Sequence, residues 1–258
     1  MKNKIKTLLL FIIKFGTLSG LKLTFMFFIG KVKNIKLPNI KYPIYLRKRT
    51  SDIPTFFQIF IDEQFDIDIE EKNSSSPQII IDAGANIGLF AIKMKNQFPD
   101  SKIICIEPDI ENFQILEKNL SNYDNIFLEN SGLWNKDTKL KVYDKYNAGK
   151  WGMIVEEDLN TGNINAISVN SLLKKYSIDY IDCFKIDIET SEKQVFSEDY
   201  LEWLPKVKML IIELHDNMES GCSRPFFEAI NKTFRNYSYD IRGENTIIIN
   251  HDLFTEKQ

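Results

Sequence analysis

The sequence predicts an α/β fold: a mostly parallel sheet with helices on both faces, an antiparallel last strand and a helical extension in front. Three observations predict it. Short apolar runs rich in Ile recur as Ile79-Ile80-Ile81, Ile103-Ile104-Cys105-Ile106 and Met209-Leu210-Ile211-Ile212, separated by segments long enough for helices. That alternation is the mark of strand–helix units on a buried sheet. These runs end in acidic residues, Asp82, Glu107 and Glu213, at the carboxyl edge where open α/β sheets bind ligands. The last two apolar runs, Tyr237 to Ile241 and Thr246 to Ile249, are split only by Arg242-Gly243-Glu244-Asn245, a hairpin turn.

A chain of 258 residues is enough for one large domain, or for one domain plus an extension. The sequence divides into a basic, apolar helical extension (1–37), a strand–helix lead-in and linker (38–77) and a ligand-binding α/β domain (78–258). Three scattered cysteines give no zinc spacing, and an odd count argues against a disulfide framework. Cys105 and Cys183 fall within strands and read as small core residues, which fits a cytoplasmic location. The net charge of -3 conceals a split: residues 1–50 hold twelve Lys and Arg and no acid, leaving 21 basic against 36 acidic side chains beyond them. A basic arm of this kind suits an anionic partner or a membrane surface.

Taken in order, Thr7 to Gly30 is the most apolar stretch, interrupted by Lys14 and Lys22. A central Lys costs about 2.5–3.5 kcal/mol in a spanning helix, so a membrane span is not expected. Gly16-Thr17-Leu18-Ser19-Gly20 breaks the run, and no Ala-x-Ala-type cleavage site follows. Two short helices are expected. They either pack on the catalytic domain or a partner subunit, or lie on the inner membrane surface, a contact assigned to residues 1–36; packing is the preferred reading. Ile44 to Arg47 reads as a strand. Thr50-Ser51-Asp52 is a helix start before Ile53 to Phe60, with Pro54 in the first turn. Asp66 to Glu71 is a short strand or acidic loop, and Lys72 to Pro77 is a turn-rich boundary.

Ile79 to Gly88 is the stretch that the rest serves: a buried strand ending at Asp82, then a turn with Gly84, Asn86 and Gly88. Gly84 and Gly88 allow a sharp turn and close approach to a ligand. The dinucleotide fingerprint would need Gly where Asn86 stands. Glu107, 25 residues after Asp82, is one strand–helix–strand unit further on, where an acidic residue accepts hydrogen bonds from ribose hydroxyls. Pro108 follows it, and Asp109 caps the helix Ile110 to Leu120. A third strand is expected over Asn125 to Leu133, built on Ile126 to Glu129, with Asn130-Ser131-Gly132 at its end, where an adenine would sit. Leu140 to Tyr143 resembles a hairpin strand, Asn147 to Gly152 a loop, and Ala166 to Val169 a strand, with Asn170-Ser171 capping Leu172 to Tyr176. Phe184 to Glu189 alternates apolar and charged residues, placing Lys185, Asp187 and Glu189 on one side. In the middle of a sheet such charges are costly unless they line a site. Thr190 to Trp203 reads as a helix and Val207 to Leu214 as a strand. His215, one of two histidines, follows at a strand end, where ligands sit. Pro225 to Phe234 reads as a helix.

With these residues in place, the chain resembles the FkbM family of S-adenosylmethionine (SAM)-dependent methyltransferases. The matching segments are Ile81-Asp82-Ala83-Gly84-Ala85-Asn86-Ile87-Gly88, Ile106-Glu107-Pro108, Phe184-Lys185-Ile186-Asp187-Ile188-Glu189 with Glu192, and Ile212-Glu213-Leu214-His215. Arg47, Thr50-Ser51-Asp52 and Phe57-Gln58-Ile59-Phe60 look like bacterial members. The family usually has Glu-Gly-Ala-Glu where this chain has Glu189-Thr190-Ser191-Glu192, which puts the local turn or the acceptor pocket in question. The resemblance implies a class I, Rossmann-like seven-stranded sheet and O-methylation of a sugar, polyketide or surface glycan. SAM would lie against Asp82, Gly84, Asn86, Gly88, Glu107, Pro108, Ser131, Gly132 and Asp187.

A hydroxyl needs a base to become a nucleophile. His215 is the first candidate, and Lys185 joins the catalytic set. Asp187 and Glu189 orient the acceptor, take the proton or hold a divalent metal, for which Asp187 and His215 are the ligands to expect. The partner expected is a capsule-type glycan or small polar precursor; homodimerisation is left open. The rivals are a non-catalytic SAM- or nucleotide-binding regulatory module and an NAD enzyme, against which Asn86 argues. Nucleic acid is not expected, because the core is acidic.

Overall fold

The computed structural model describes residues 2–29, 33–62, 64–65, 76–143 and 154–253. Two helices, α1 (Lys2–Phe15) and α2 (Thr17–Phe28), precede a small ribbon, β1 (Asn34–Ile35) and β2 (Ile44–Tyr45), and a third helix, α3 (Asp52–Phe60). Then come β3 (Ile79–Ala83), α4 (Leu89–Gln97), β4 (Lys102–Ile106), α5 (Ile110–Leu120) and β5 (Ile126–Glu129). Four strands follow, β6 (Ser131–Trp134), β7 (Thr138–Tyr143), β8 (Ile154–Glu157) and β9 (Ile164–Ser168), and then α6 (Val169–Tyr176). The chain continues through β10 (Cys183–Ile186), α7 (Glu192–Val195), α8 (Tyr200–Trp203), β11 (Met209–Glu213), α9 (Ser223–Thr233), β12 (Tyr237–Arg242) and β13 (Asn245–Asn250).

The main sheet has seven strands in the order β12-β13-β11-β10-β3-β4-β5. Pairing is parallel from β11 to β5, and β13 alone runs against its neighbours. The α/β architecture with an antiparallel last strand is therefore as expected. Successive strand residues enter opposite cores. Ile80, Ile103, Cys105, Met209 and Ile211 pack toward α3, α4 and α5, while Ile81, Ile104, Ile106, Leu210 and Ile212 pack toward α6, α8 and α9. Both faces are covered, which is why these strands read as unbroken apolar runs. Cys105, Cys183 and Cys222 are free thiols, all buried.

The two N-terminal helices meet at Gly16, whose φ of 79° breaks the apolar run. Phe11 and Leu23 join the same core as Phe56 of α3. Phe11 stacks on Phe57 at 5.5 Å between ring centres, and Phe27 meets Phe56 at 5.6 Å. The preferred packing role thus describes one face of this hairpin. Among the described residues no helix is long and apolar enough to cross a membrane.

Several local expectations are corrected. The β2 strand is shorter than Ile44 to Arg47, because Arg47 turns to Asp52. The charged strand stops at Ile186, since Glu189 (φ 51°) and Thr190 (φ 76°) leave the extended region. The helix expected over Thr190 to Trp203 is two short helices, separated where Asp199 adopts φ 55°. Ser168 caps α6, accepting from the amide of Ser171, in place of Asn170-Ser171. A four-stranded sheet, β6-β9-β7-β8, was not foreseen as a unit, and β8 was not foreseen at all. The readings of Asp66 to Glu71 and of Asn147 to Gly152 lie outside the described residues, as does most of Lys72 to Pro77.

Candidate active site

A cleft of about 1130 Å³, counted with its open mouth, runs along the carboxyl ends of β3, β4 and β10. Gly84, Asn86, Glu107, Pro108, Gly132, Lys185, Asp187 and Glu189 line it. Asp82, Gly88, Ser131 and His215 do not; they lie beneath or behind the lining residues.

The turn after β3 is held from below. The amides of Gly84 and Ala85 both donate to the Ile106 carbonyl. Lys185 is paired in register with Asp82 across β10 and β3. Its Nζ lies 3.2 Å from Asp82 Oδ1, donates to the Gly84 carbonyl at 3.1 Å and sits 3.7 Å from Asp187 Oδ2. Burial alone would push this ammonium down, but the Asp82 and Asp187 charges outweigh it, so Lys185 stays protonated. A charged, buried strut of this kind positions the turn; as an ammonium it has no lone pair for a proton.

The glycines answer to packing within the chain. A Cβ on Gly84 (φ 72°) would stand 1.6 Å from the Asp187 carbonyl oxygen, and one on Gly88 2.7 Å from Leu116 Cδ1. Asn86, at φ 49°, takes the left-handed position that Asn tolerates better than other side chains.

Glu107 lines the far end of the cleft. Its Oε2 accepts from the Asn86 amide at 2.8 Å, and its Oε1 from the Asp109 amide at 2.9 Å and Asn112 Nδ2 at 3.4 Å. A carboxylate has about four acceptor positions, so Oε2 keeps one for a hydroxyl in the cleft. Burial pushes Glu107 up to about 7 even against these donors. Asn112 is itself held by Arg47, whose guanidinium bridges Asn112 Oδ1 and Asp52 Oδ1, each at 2.7 Å. The lead-in helix is thereby tied to the glutamate. The sequence placed Arg47 in a strand and Asp52 at a helix start but tied neither to the site, and Asn112 carried no signal, because a lone Asn within a helix makes no pattern.

At the other end of the cleft four carboxylates converge on one imidazole. His215 Nδ1 lies 2.9 Å from Glu192 Oε1, and Nε2 lies 3.4 Å from Glu189, 3.5 Å from Glu213 and 3.8 Å from Asp187. The irregular backbone at Glu189 and Thr190 turns this segment toward β11. Burial would strip His215 of its proton, but Glu192 and Glu213, with Asp187 behind them, push the ring up to about 12. Burial and the neighbouring Asp187 push Glu189 up to about 8. Glu244, on the β12–β13 turn, is pushed up first by Glu213, so the same negative field reaches the hairpin. Asp187, Glu213 and His215 each offer a ligand-type atom, all within 4.8 Å of one another. Glu192 and Glu213 were quoted within motifs but not expected at the site. Thr55, Gln58, Gln64 and Phe65, from the lead-in, complete the mouth.

The sequence profile of the methyltransferase FkbM domain matches residues 82–241, more than half of the chain. Methyltransferase sdnD of Sordaria araneosa is 42% identical over 67 residues, covering 26% of this chain and 24% of that protein. Methyltransferase 1 of Beauveria bassiana is 34% identical over 87 residues, covering 33% of each. The chain thus spans about a quarter to a third of the curated relatives it matches. Among solved structures, the plantazolicin methyltransferase BpumL in complex with SAH aligns with a TM-score of 0.45 at 13% identity, covering 78% of this chain and 86% of that one.

Proposed function

We propose that this chain, which belongs to the FkbM methyltransferase family, methylates a hydroxyl oxygen on a neutral, hydroxyl-rich acceptor such as a surface-glycan or capsule-type sugar. Its methyl donor is S-adenosylmethionine, the cofactor of this family. Bound in the cleft, SAM supplies a methyl group already activated on a sulfonium, for an acceptor oxygen to take by in-line displacement. The residues fit that donor. Glu107 keeps a free acceptor position for a ribose hydroxyl, Asn86 and Pro108 flank it, and Gly132 and Leu133 line the same cleft. Asp187 stands where a cationic group is favoured.

The observation that carries the acceptor reading is the convergence of Asp187, Glu189, Glu192 and Glu213 on His215 at one end of this cleft. Carboxylates are acceptors only, so a field of them binds hydroxyl donors and repels phosphates and uronic acids. In this reading the ring, held by the carboxylates of Glu192 and Glu213, stays an imidazolium with no lone pair to offer and does not serve as the base. Glu189 lines the cleft and its Oε2 is 3.4 Å from the ring. We assign the acceptor proton to its ionised form, which gains population as pH rises toward about 8, with His215 holding the charges together from behind. Asp187 orients the hydroxyl.

Labelled SAM incubated with neutral and acidic oligosaccharides tests this. Alkali-stable label in a neutral sugar is expected, and Glu189→Gln should lower turnover by about 10²–10⁴-fold with little change in SAM affinity. Label confined to acidic acceptors or to nitrogen would overturn the reading.

A second reading rests on the 4.8 Å grouping of Asp187, Glu213 and His215. A divalent cation there would take the place of the ring proton and polarise the hydroxyl. Dialysis against EDTA separates the two. Unchanged turnover supports the protonated ring, and a loss restored by Mn²⁺ or Mg²⁺ supports the ion.

A further inference from the structure

The N-terminal hairpin has two faces, and the core uses one. Phe11, Leu23 and Phe27 turn inward against Phe56 and Phe57. Ile5, Leu9 and Ile13 form an exposed stripe on α1, spaced four residues apart, and Leu18, Leu21, Phe25 and Phe28 form one on α2, spaced three or four apart. Ile13 is 79% and Leu18 86% exposed, values unusual for large aliphatic side chains within helices. The two helices are in close contact: a Cβ on Gly20 of α2 would lie 2.6 Å from the Ile12 backbone nitrogen of α1. The outward stripes therefore belong to one rigid unit.

Its charge says what covers it. No acidic residue precedes Asp52. Lys6 and Lys22 are exposed on the hairpin, and Lys33, Lys36, Lys41, Lys48 and Arg49 are exposed in the segment that follows. A second copy would bring an equally basic arm against this one and be repelled. The helices, of 14 and 12 residues, are too short to span a bilayer. Apolar stripes among lysines on short helices fit the boundary between headgroups and acyl chains.

We propose that the α1–α2 hairpin docks this protein on an anionic phospholipid bilayer, with its apolar stripes at the acyl boundary and its lysines on the headgroups. The full chain is sedimented with phosphatidylcholine vesicles with or without phosphatidylglycerol. Binding to the anionic vesicles should exceed binding to the neutral ones by roughly tenfold or more, and should weaken as salt is raised. The double substitution Ile13→Glu/Leu18→Glu should abolish binding while leaving the thermal transition and SAM binding unchanged, since both side chains are exposed. Lys6→Glu/Lys22→Glu should reduce binding mainly at low salt. Three outcomes would overturn the proposal: wild-type protein that stays in the supernatant, equal binding by Ile13→Glu/Leu18→Glu, or dimerisation in light scattering that the same substitution removes while no vesicle binding is seen.

Discussion

Glu107 couples proton and cofactor. Its value of about 7 lies above the ordinary 4.5, because burial opposes the charge. Ionising it in the fold has a cost that is absent below about pH 4.5 and complete above about pH 7. The stability that this group contributes is therefore lost as pH rises through that window, and Glu107→Gln should flatten the slope in urea titrations. Ribose hydroxyls favour the ionised form, so SAM binding at about pH 6 should release protons. Calorimetry in two buffers of different ionisation enthalpy would show it, and Glu107→Gln should abolish it while weakening binding by about 1.5–3 kcal/mol. Glu107 was legible because a strand-end acid has a known use. Gly84 was legible as a glycine but for another reason: its close neighbour is the Asp187 carbonyl, a contact made across more than a hundred residues of sequence. Gly84→Ala should lower stability by about 3 kcal/mol or more in denaturant titration.

At the scale of elements, the lead-in helix α3 and the core helix α5 meet through Asp52, Arg47 and Asn112. Asn112→Ala should weaken SAM binding roughly threefold to tenfold, about 1 kcal/mol, by loosening Glu107 and stranding Arg47. If binding is unchanged, the Asp109 and Asn86 amides suffice. Parallel strands were readable because burial on both faces leaves continuous apolar runs. The β6–β9 sheet was not, since its strands are short and partly polar and its pairing, Ser131 with Asn165, joins distant segments. The break between α7 and α8 escaped notice because Asp199 in a left-handed conformation leaves no mark in the amino-acid pattern.

At the scale of the whole molecule, the N-terminal hairpin shares the core of the sheet rather than hanging from it. Phe11→Ala should cost about 3–5 kcal/mol in denaturant titration, whereas a loosely tethered arm would give no change. The charge split was plain in the sequence; which apolar side chains turn outward was not, because both faces of the hairpin are greasy. The three thiols are all enclosed, and burial pushes the reactivity-setting value of each upward, to about 11 for Cys222. An alkylating fluorophore should leave native molecules dark and mark each one that opens, so the chain carries its own clock for unfolding and a blank background for any single label placed outside.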